Sequence, residues 1–106
     1  MGYSMGGMQA LRFGLGNPQS FAYVGALAPA FRPDVNTLNP ADVNKQFKQL
    51  FLSAGTKDSL FKPADAFSRA LTEKSINNIF VPVQDGKHDG STWSPGLYNF
   101  VQIIFK

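Results

Sequence analysis

The sequence contains no cysteine, which excludes structural disulfides and thiolate metal sites. That absence leaves the compartment open, because many secreted proteins also lack cysteine. No apolar run approaches the roughly 18 to 20 residues of a membrane span, and the N-terminus has no basic segment followed by an apolar one. Neither a membrane anchor nor an export signal is expected within the chain. Runs of one charge are missing too. The ten Lys and Arg are scattered from Arg12 to Lys106, so a net charge of +3 and a pI near 9.4 leave no nucleic-acid footprint. There are no internal repeats or low-complexity segments, and histidine occurs once, at His88.

What is abundant is core material. Hydrophobic residues make up 43% of the 106 positions and ten of them are Phe, which excludes a disordered chain and implies a globular one. The length allows one domain or a piece of one.

Met8, Leu11 and Leu15 recur at helical spacing beside Ala10 and Phe13, with Gly16-Asn17-Pro18 as a stop signal, so a helix is expected from about Gly6 to Leu15. Ala22 to Ala28 is short, apolar on both faces and closed by Pro29, as suits a strand covered on two sides in a parallel sheet. Phe31 to Lys45 reads as loop, with at most a short helix after Asn39-Pro40. Gln49 to Ala54 is a second buried strand ended by Gly55. Leu60, Ala64, Phe67 and Leu71 then mark an amphipathic helix with Pro63 in its first turn and Ser59 as its expected cap. Ile79 to Gln84 is a third strand, in which Pro82 points to an edge or a bulge. Pro95 stands near the start of a last helix that carries Leu97, Phe100, Val101 and Ile104 on its core face. This alternation predicts an α/β fold with about three parallel strands and helical crossovers. No strand of its own is visible before the first helix, so the sheet is expected to need more chain or a second copy.

Gly2-Tyr3-Ser4-Met5-Gly6 fits G-x-S-x-G directly before the first helix. In that pattern the serine sits on a strained turn, the flanking glycines avoid Cβ clashes, and the helix N-terminus with the Met5 N–H can stabilise an oxyanion. Asp58 follows the second expected strand, and His88 follows the third. Each has a plainer reading when taken alone: Ser4 as a cap on a glycine-rich tail, Asp58 as helix-start chemistry, His88 as a surface residue. Taken jointly, all three fall between a strand position and the start of a helix, the edge where open parallel sheets form active sites. Their order, Ser, Asp, His, is that of α/β-hydrolases. Asp34, Asp85 and Asp89 are rival acids, but Asp34 lies in the irregular segment and the other two share the loop of His88.

Three stretches carry a family resemblance: Gly2-Tyr3-Ser4-Met5-Gly6-Gly7-Met8-Gln9-Ala10-Leu11, Phe51-Leu52-Ser53-Ala54-Gly55-Thr56-Lys57-Asp58, and Asp85-Gly86-Lys87-His88-Asp89 with Trp93-Ser94-Pro95-Gly96-Leu97-Tyr98. The sequence resembles the esterase family of α/β-hydrolases that includes feruloyl and acetyl-xylan esterases, esterase D (S-formylglutathione hydrolase) and mycolyltransferases. The tail is most similar to the feruloyl and xylan-esterase branch, although Lys87 and Gly90 stand where that branch often has Gly and Trp. The resemblance implies that residues 1–106 are the C-terminal portion of a single α/β-hydrolase domain, incomplete without an N-terminal half that supplies early strands and a second oxyanion donor. It implies Ser4 as nucleophile, Asp58 as acid, His88 as base and the Met5 N–H as an oxyanion donor. The expected function is a serine carboxylic-ester hydrolase acting on small-molecule or carbohydrate-linked esters, with acyl esters of plant cell-wall carbohydrate favoured. Neither a metal nor an organic cofactor is implied, and no nucleic-acid or membrane partner. The alternatives are a catalytically inactive remnant that serves as a folding or binding unit, and an acyltransferase on the same three residues. A homo-oligomer, or a chain completed by its N-terminal half, is expected; a secreted or periplasmic location is suggested by the resemblance only.

Overall fold

The computed structural model describes residues 1–16, 23–30 and 32–104. Asn17 and Pro18 of the expected stop signal, the Ala22 start of the first expected strand, Phe31 and the Ile104 side chain lie outside what is described. The elements run β1 (Gly2–Tyr3), α1 (Met5–Gly16), β2 (Tyr23–Leu27), a 3₁₀ turn (Val35–Thr37), α2 (Pro40–Gln46), β3 (Gln49–Gly55), α3 (Phe61–Glu73), β4 (Ile79–Val83) and α4 (Gly90–Ile104). All strand pairings are parallel, in the order β1-β2-β3-β4.

The sheet thus has four described strands rather than three, and the strand before the first helix is present. It spans two residues, with Gly2 opposite Ala26 and Tyr3 opposite Leu27, which is too short to show any hydrophobic period in sequence. Pro82 lies in β4, which among the described strands has a neighbour on its β3 side alone, and it keeps register with Ala54 without a bulge. An edge tolerates the donor that proline lacks.

Period-two alternation divides the core between the two faces of the sheet. Val24, Ala26, Leu50 and Leu52 pack with Leu11 and Leu15 of α1, Val43 of α2, and Phe67 and Leu71 of α3. Leu27 and Phe51 point the other way, onto Phe100 of α4, whose ring lies 5.4 Å from that of Phe51. Leu50, Leu52 and Phe51 are at most 1% exposed, so truncating any one to Ala removes about 2 to 5 kcal/mol. Ser53, fully buried in β3, satisfies its hydroxyl by donating to the Val81 carbonyl at 2.7 Å.

Caps fall partly as expected. The Asn39 side chain accepts from the Asp42 N–H at the start of α2, which confirms the short helix there. Ser59 does not cap α3: Leu60 holds the cap position with no side-chain bond, and the Leu60 N–H donates instead to Asp58 Oδ1 at 2.9 Å. Helix α4 begins at Gly90, five residues before Pro95, so that proline lies inside the helix rather than near its start. No described helix is long and apolar enough to cross a membrane.

Backbone bonds continue beyond the strands along the carboxyl edge of the sheet. Ser4 N–H donates to Leu27 O at 2.8 Å, Ala28 N–H to Ser53 O at 2.7 Å, and Thr56 N–H to Val83 O at 3.0 Å. Each loop therefore leaves its strand already tied to the next one, and the loops carrying Ser4, Asp58 and His88 start from one connected edge.

Candidate active site

Ser4 links β1 to α1 with φ 57°, in the left-handed region that L side chains seldom adopt. Three backbone bonds hold it there: its N–H donates to Leu27, and its carbonyl accepts from Met8 and Ala30 at 3.0 Å each. Space rather than backbone freedom demands glycine beside it, since no described glycine has a positive φ. A Cβ on Gly2 would lie 1.9 Å from the Gly6 carbonyl oxygen, and one on Gly7 would lie 3.1 Å from Leu27 O and from Pro29 Cα. Gly6 is different: a Cβ there meets nothing within 4 Å. The expectation that both glycines flanking Ser4 avoid clashes holds for Gly2, and the second close approach belongs to Gly7.

Asp58 and His88 reach Ser4 from the loops after β3 and β4. Ser4 Oγ and His88 Nε2 are 2.9 Å apart, and His88 Nδ1 lies 2.6 Å from Asp58 Oδ2. The Asp58 side chain is 1% exposed and uses both oxygens, Oδ2 toward the imidazole and Oδ1 toward the Leu60 N–H. The His88 side chain is 40% exposed, open enough for a substrate to reach its edge. The two loops are laced together: Lys57 N–H donates to Gly86 O at 2.9 Å, and Asp85 N–H donates to Thr56 Oγ1 at 2.8 Å. Asp85 has φ 59° and its carboxylate sits 3.7 Å from Lys57 Nζ, an exposed pair whose value is positional rather than energetic.

Two of the three rival acids are engaged elsewhere. Asp34 accepts from the Asn36 N–H and starts the 3₁₀ turn, and Asp85 faces Lys57. Tyr3 adds a contact that the sequence does not signal. Its ring stacks on the His88 imidazole, centroids 5.1 Å apart and planes 24° from parallel. Burial, with the negative fields of Asp58 and Asp89 added, pushes the Tyr3 phenol above its ordinary range, so it stays neutral at physiological pH. This stacking rests on spatial contact between residues 3 and 88, and no local motif announces it.

A groove of about 620 Å³ lies along α1, lined among others by Met8, Leu11, Arg12, Arg32 and Leu38. Ser4, Asp58 and His88 are not among its lining residues, so its size does not make it the reaction centre. Hydrogen-bond geometry locates chemistry better than volume does. Met5 is the first residue of α1, and its N–H belongs to the group of helix-initial donors without an intrahelical acceptor. Among the described residues, no three of His, Cys, Asp and Glu are grouped to hold a metal ion.

Residues 1–102 match the profile of the Esterase family, described as "Putative esterase". The chain belongs to this esterase family. Its α/β-hydrolase fold is shared with solved structures of which it spans about half the length. An S-formylglutathione hydrolase from Staphylococcus aureus matches this esterase-family chain with a TM-score of 0.80 and 18% identity, over 99% of this chain and 53% of its own. A ferulic acid esterase from Anaeromyces mucronatus, solved with ferulic acid, gives a TM-score of 0.78 and 26% identity over 95% and 42%. A fluorophosphonate-binding serine hydrolase of Staphylococcus aureus gives 0.79 and 19% over 99% and 52%.

Proposed function

We propose that the protein is a serine carboxylic-ester hydrolase in which Ser4 is the nucleophile, His88 the general base and Asp58 the residue that fixes the imidazole tautomer. The observation that supports this best is the unbroken hydrogen-bond chain from Ser4 Oγ through both ring nitrogens of His88 to Asp58 Oδ2. In this reading Nε2 takes the Ser4 proton as Oγ attacks the ester carbonyl carbon. The Met5 N–H and the positive end of α1 stabilise the oxyanion, and the imidazolium then returns its proton to the departing alcohol. Water, activated by the same nitrogen, cleaves the acyl-enzyme. The strained φ of Ser4, on a turn between a strand and a helix, supports reading that turn as a nucleophile elbow.

As substrate we propose acyl esters of plant cell-wall carbohydrate, of feruloyl or acetyl type. Similarity to a ferulic acid esterase supports the feruloyl member of that pair. An acyltransferase would use the same first half-reaction, so the fate of the acyl group separates the two. The test is hydrolysis of p-nitrophenyl acetate together with fluorophosphonate labelling, the adduct located by mass spectrometry. Release of free acid and an adduct on Ser4 are expected. An adduct on another serine, or none in a chain that does hydrolyse the ester, removes Ser4 from the role.

A further inference from the structure

We propose that Tyr3 is a positioning residue for His88: its ring fixes the tilt of the imidazole against Ser4 and gives the imidazolium a π face to rest on. This deepens the esterase reading above and rests on it. The bonds from Nε2 to Ser4 and from Nδ1 to Asp58 both lie at the ring edge, 2.9 Å and 2.6 Å long. Two such contacts leave the imidazole free to rock about the axis through its nitrogens. A second ring at 5.1 Å and 24° closes one face and removes that freedom, within the about 4.5 to 7 Å range of favourable aromatic pairs.

The elbow explains how one short segment does both jobs. With Ser4 at φ 57°, consecutive residues reach the same imidazole from different sides, Ser4 Oγ at its edge and the Tyr3 ring on its face. Tyr3 itself packs against the cluster formed by Leu27, Phe51 and Phe100, so the platform is anchored in the core below α4. Its hydroxyl is buried without a hydrogen-bond partner among the described residues, so the contribution is assigned to the ring and not to the phenol oxygen. When His88 accepts the serine proton it becomes a cation over a π face, an interaction stronger in the transition state than in the resting enzyme, so it acts on kcat.

The experiment compares the full chain with Tyr3→Phe, Tyr3→Leu and a fully ring-fluorinated phenylalanine at the same position, which stays close to the shape of Phe but reverses its quadrupole. Because His88 is the only histidine of the sequence, its two ring C–H signals can be followed without overlap by NMR. The wild type and Tyr3→Phe are expected to show these signals shifted upfield by the stacked ring, with kcat for p-nitrophenyl acetate within about twofold of each other. Tyr3→Leu should lose the shift and lower kcat about five- to thirtyfold with KM nearly unchanged, and the fluorinated variant should lower kcat similarly. Should Tyr3→Leu fail to fold, the fluorinated variant decides, since its packing is that of Phe. An active wild type whose fluorinated variant keeps full kcat, or whose Tyr3→Leu variant loses only KM, overturns the role of Tyr3 and leaves the esterase reading standing. A wild type that hydrolyses no ester removes that reading and this inference with it.

Discussion

Alanine substitutions at the three glycines around Ser4 give a graded test of how the turn is built. At Gly2 the added Cβ meets the Gly6 carbonyl oxygen at 1.9 Å, its carbon at 2.2 Å and the Gly7 nitrogen at 2.8 Å. All three are backbone atoms of the first helical turn and cannot swing aside as a side chain would. Overpacking in a close-packed core usually costs about 1 to 3 kcal/mol, and Gly2→Ala should lie at or above the top of that range. Gly7→Ala brings contacts of 3.1 Å from two different segments, Leu27 O and Pro29 Cα. A shift of a few tenths of an ångström relieves them, and the helix gains about 1 kcal/mol of propensity over glycine, so a net loss of about 0.5 to 2 kcal/mol is expected. Gly6→Ala meets no atom within 4 Å and keeps only the propensity gain, a stabilisation of about 0.5 to 1 kcal/mol. Against a total of about 5 to 15 kcal/mol, the three variants separate clearly in urea melts followed by circular dichroism. Fluorophosphonate labelling rates report in parallel whether Oγ stays aligned. A Gly6→Ala variant as unstable as Gly2→Ala would show that the turn is not packed as described.

Three further outcomes are expected. Asp58→Asn keeps an acceptor for the Leu60 N–H but sets an amide donor opposite His88 Nδ1, so kcat should fall about 10⁴-fold with the melt little changed; a loss under tenfold rules out a tautomer-fixing role. His88→Ala should abolish hydrolysis by about 10⁴ to 10⁶ while the fold persists, and activity within tenfold of wild type means another group is the base. The outer edge of β1 has no described strand beside it, and we propose that either a second copy or further strands of the same domain cover it; light scattering near twice 11.6 kDa selects the second copy, whereas a sharp monomer peak with full esterase activity counts against both.

The alternation of strands and helices was readable because parallel strands buried on both faces leave continuous apolar runs, as in residues 49–55, and because α3 keeps a clean stripe of Ala64, Phe67 and Leu71. The convergence of the three candidate residues was readable for a topological reason. In a parallel sheet every strand-to-helix loop opens on the same edge, so Ser4, Asp58 and His88, up to 84 positions apart, could be assigned to one region from their places between elements. What escaped had no period and no motif. A two-residue strand cannot alternate, and its existence depends on β2 offering Ala26 and Leu27 as partners. Ser59 looked like a helix cap because serine suits that position, but the neighbouring carboxylate took the Leu60 N–H and tied the helix start to the residue that holds His88.

That competition also shows why the acid is placed so firmly. A carboxylate that only accepted from the Leu60 N–H would tolerate exchange for serine or asparagine, and one that only faced His88 could swing about χ1 and χ2. Asp58 does both with separate oxygens while its side chain is 1% exposed, so each bond fixes the direction of the other. The imidazole inherits that order through Nδ1, and Tyr3 adds a third restraint on its face. Ser4 is constrained from the opposite side by Leu27, Met8 and Ala30, all through backbone atoms. The 2.9 Å contact between Ser4 and His88 is therefore the meeting point of two halves, one built on the turn after β1 and the other on the loops after β3 and β4, with the Tyr3 ring reaching from the first to the second. Displacing either half lengthens that contact first, which is why labelling of Ser4 should respond to changes at Gly2 and at Asp58 alike.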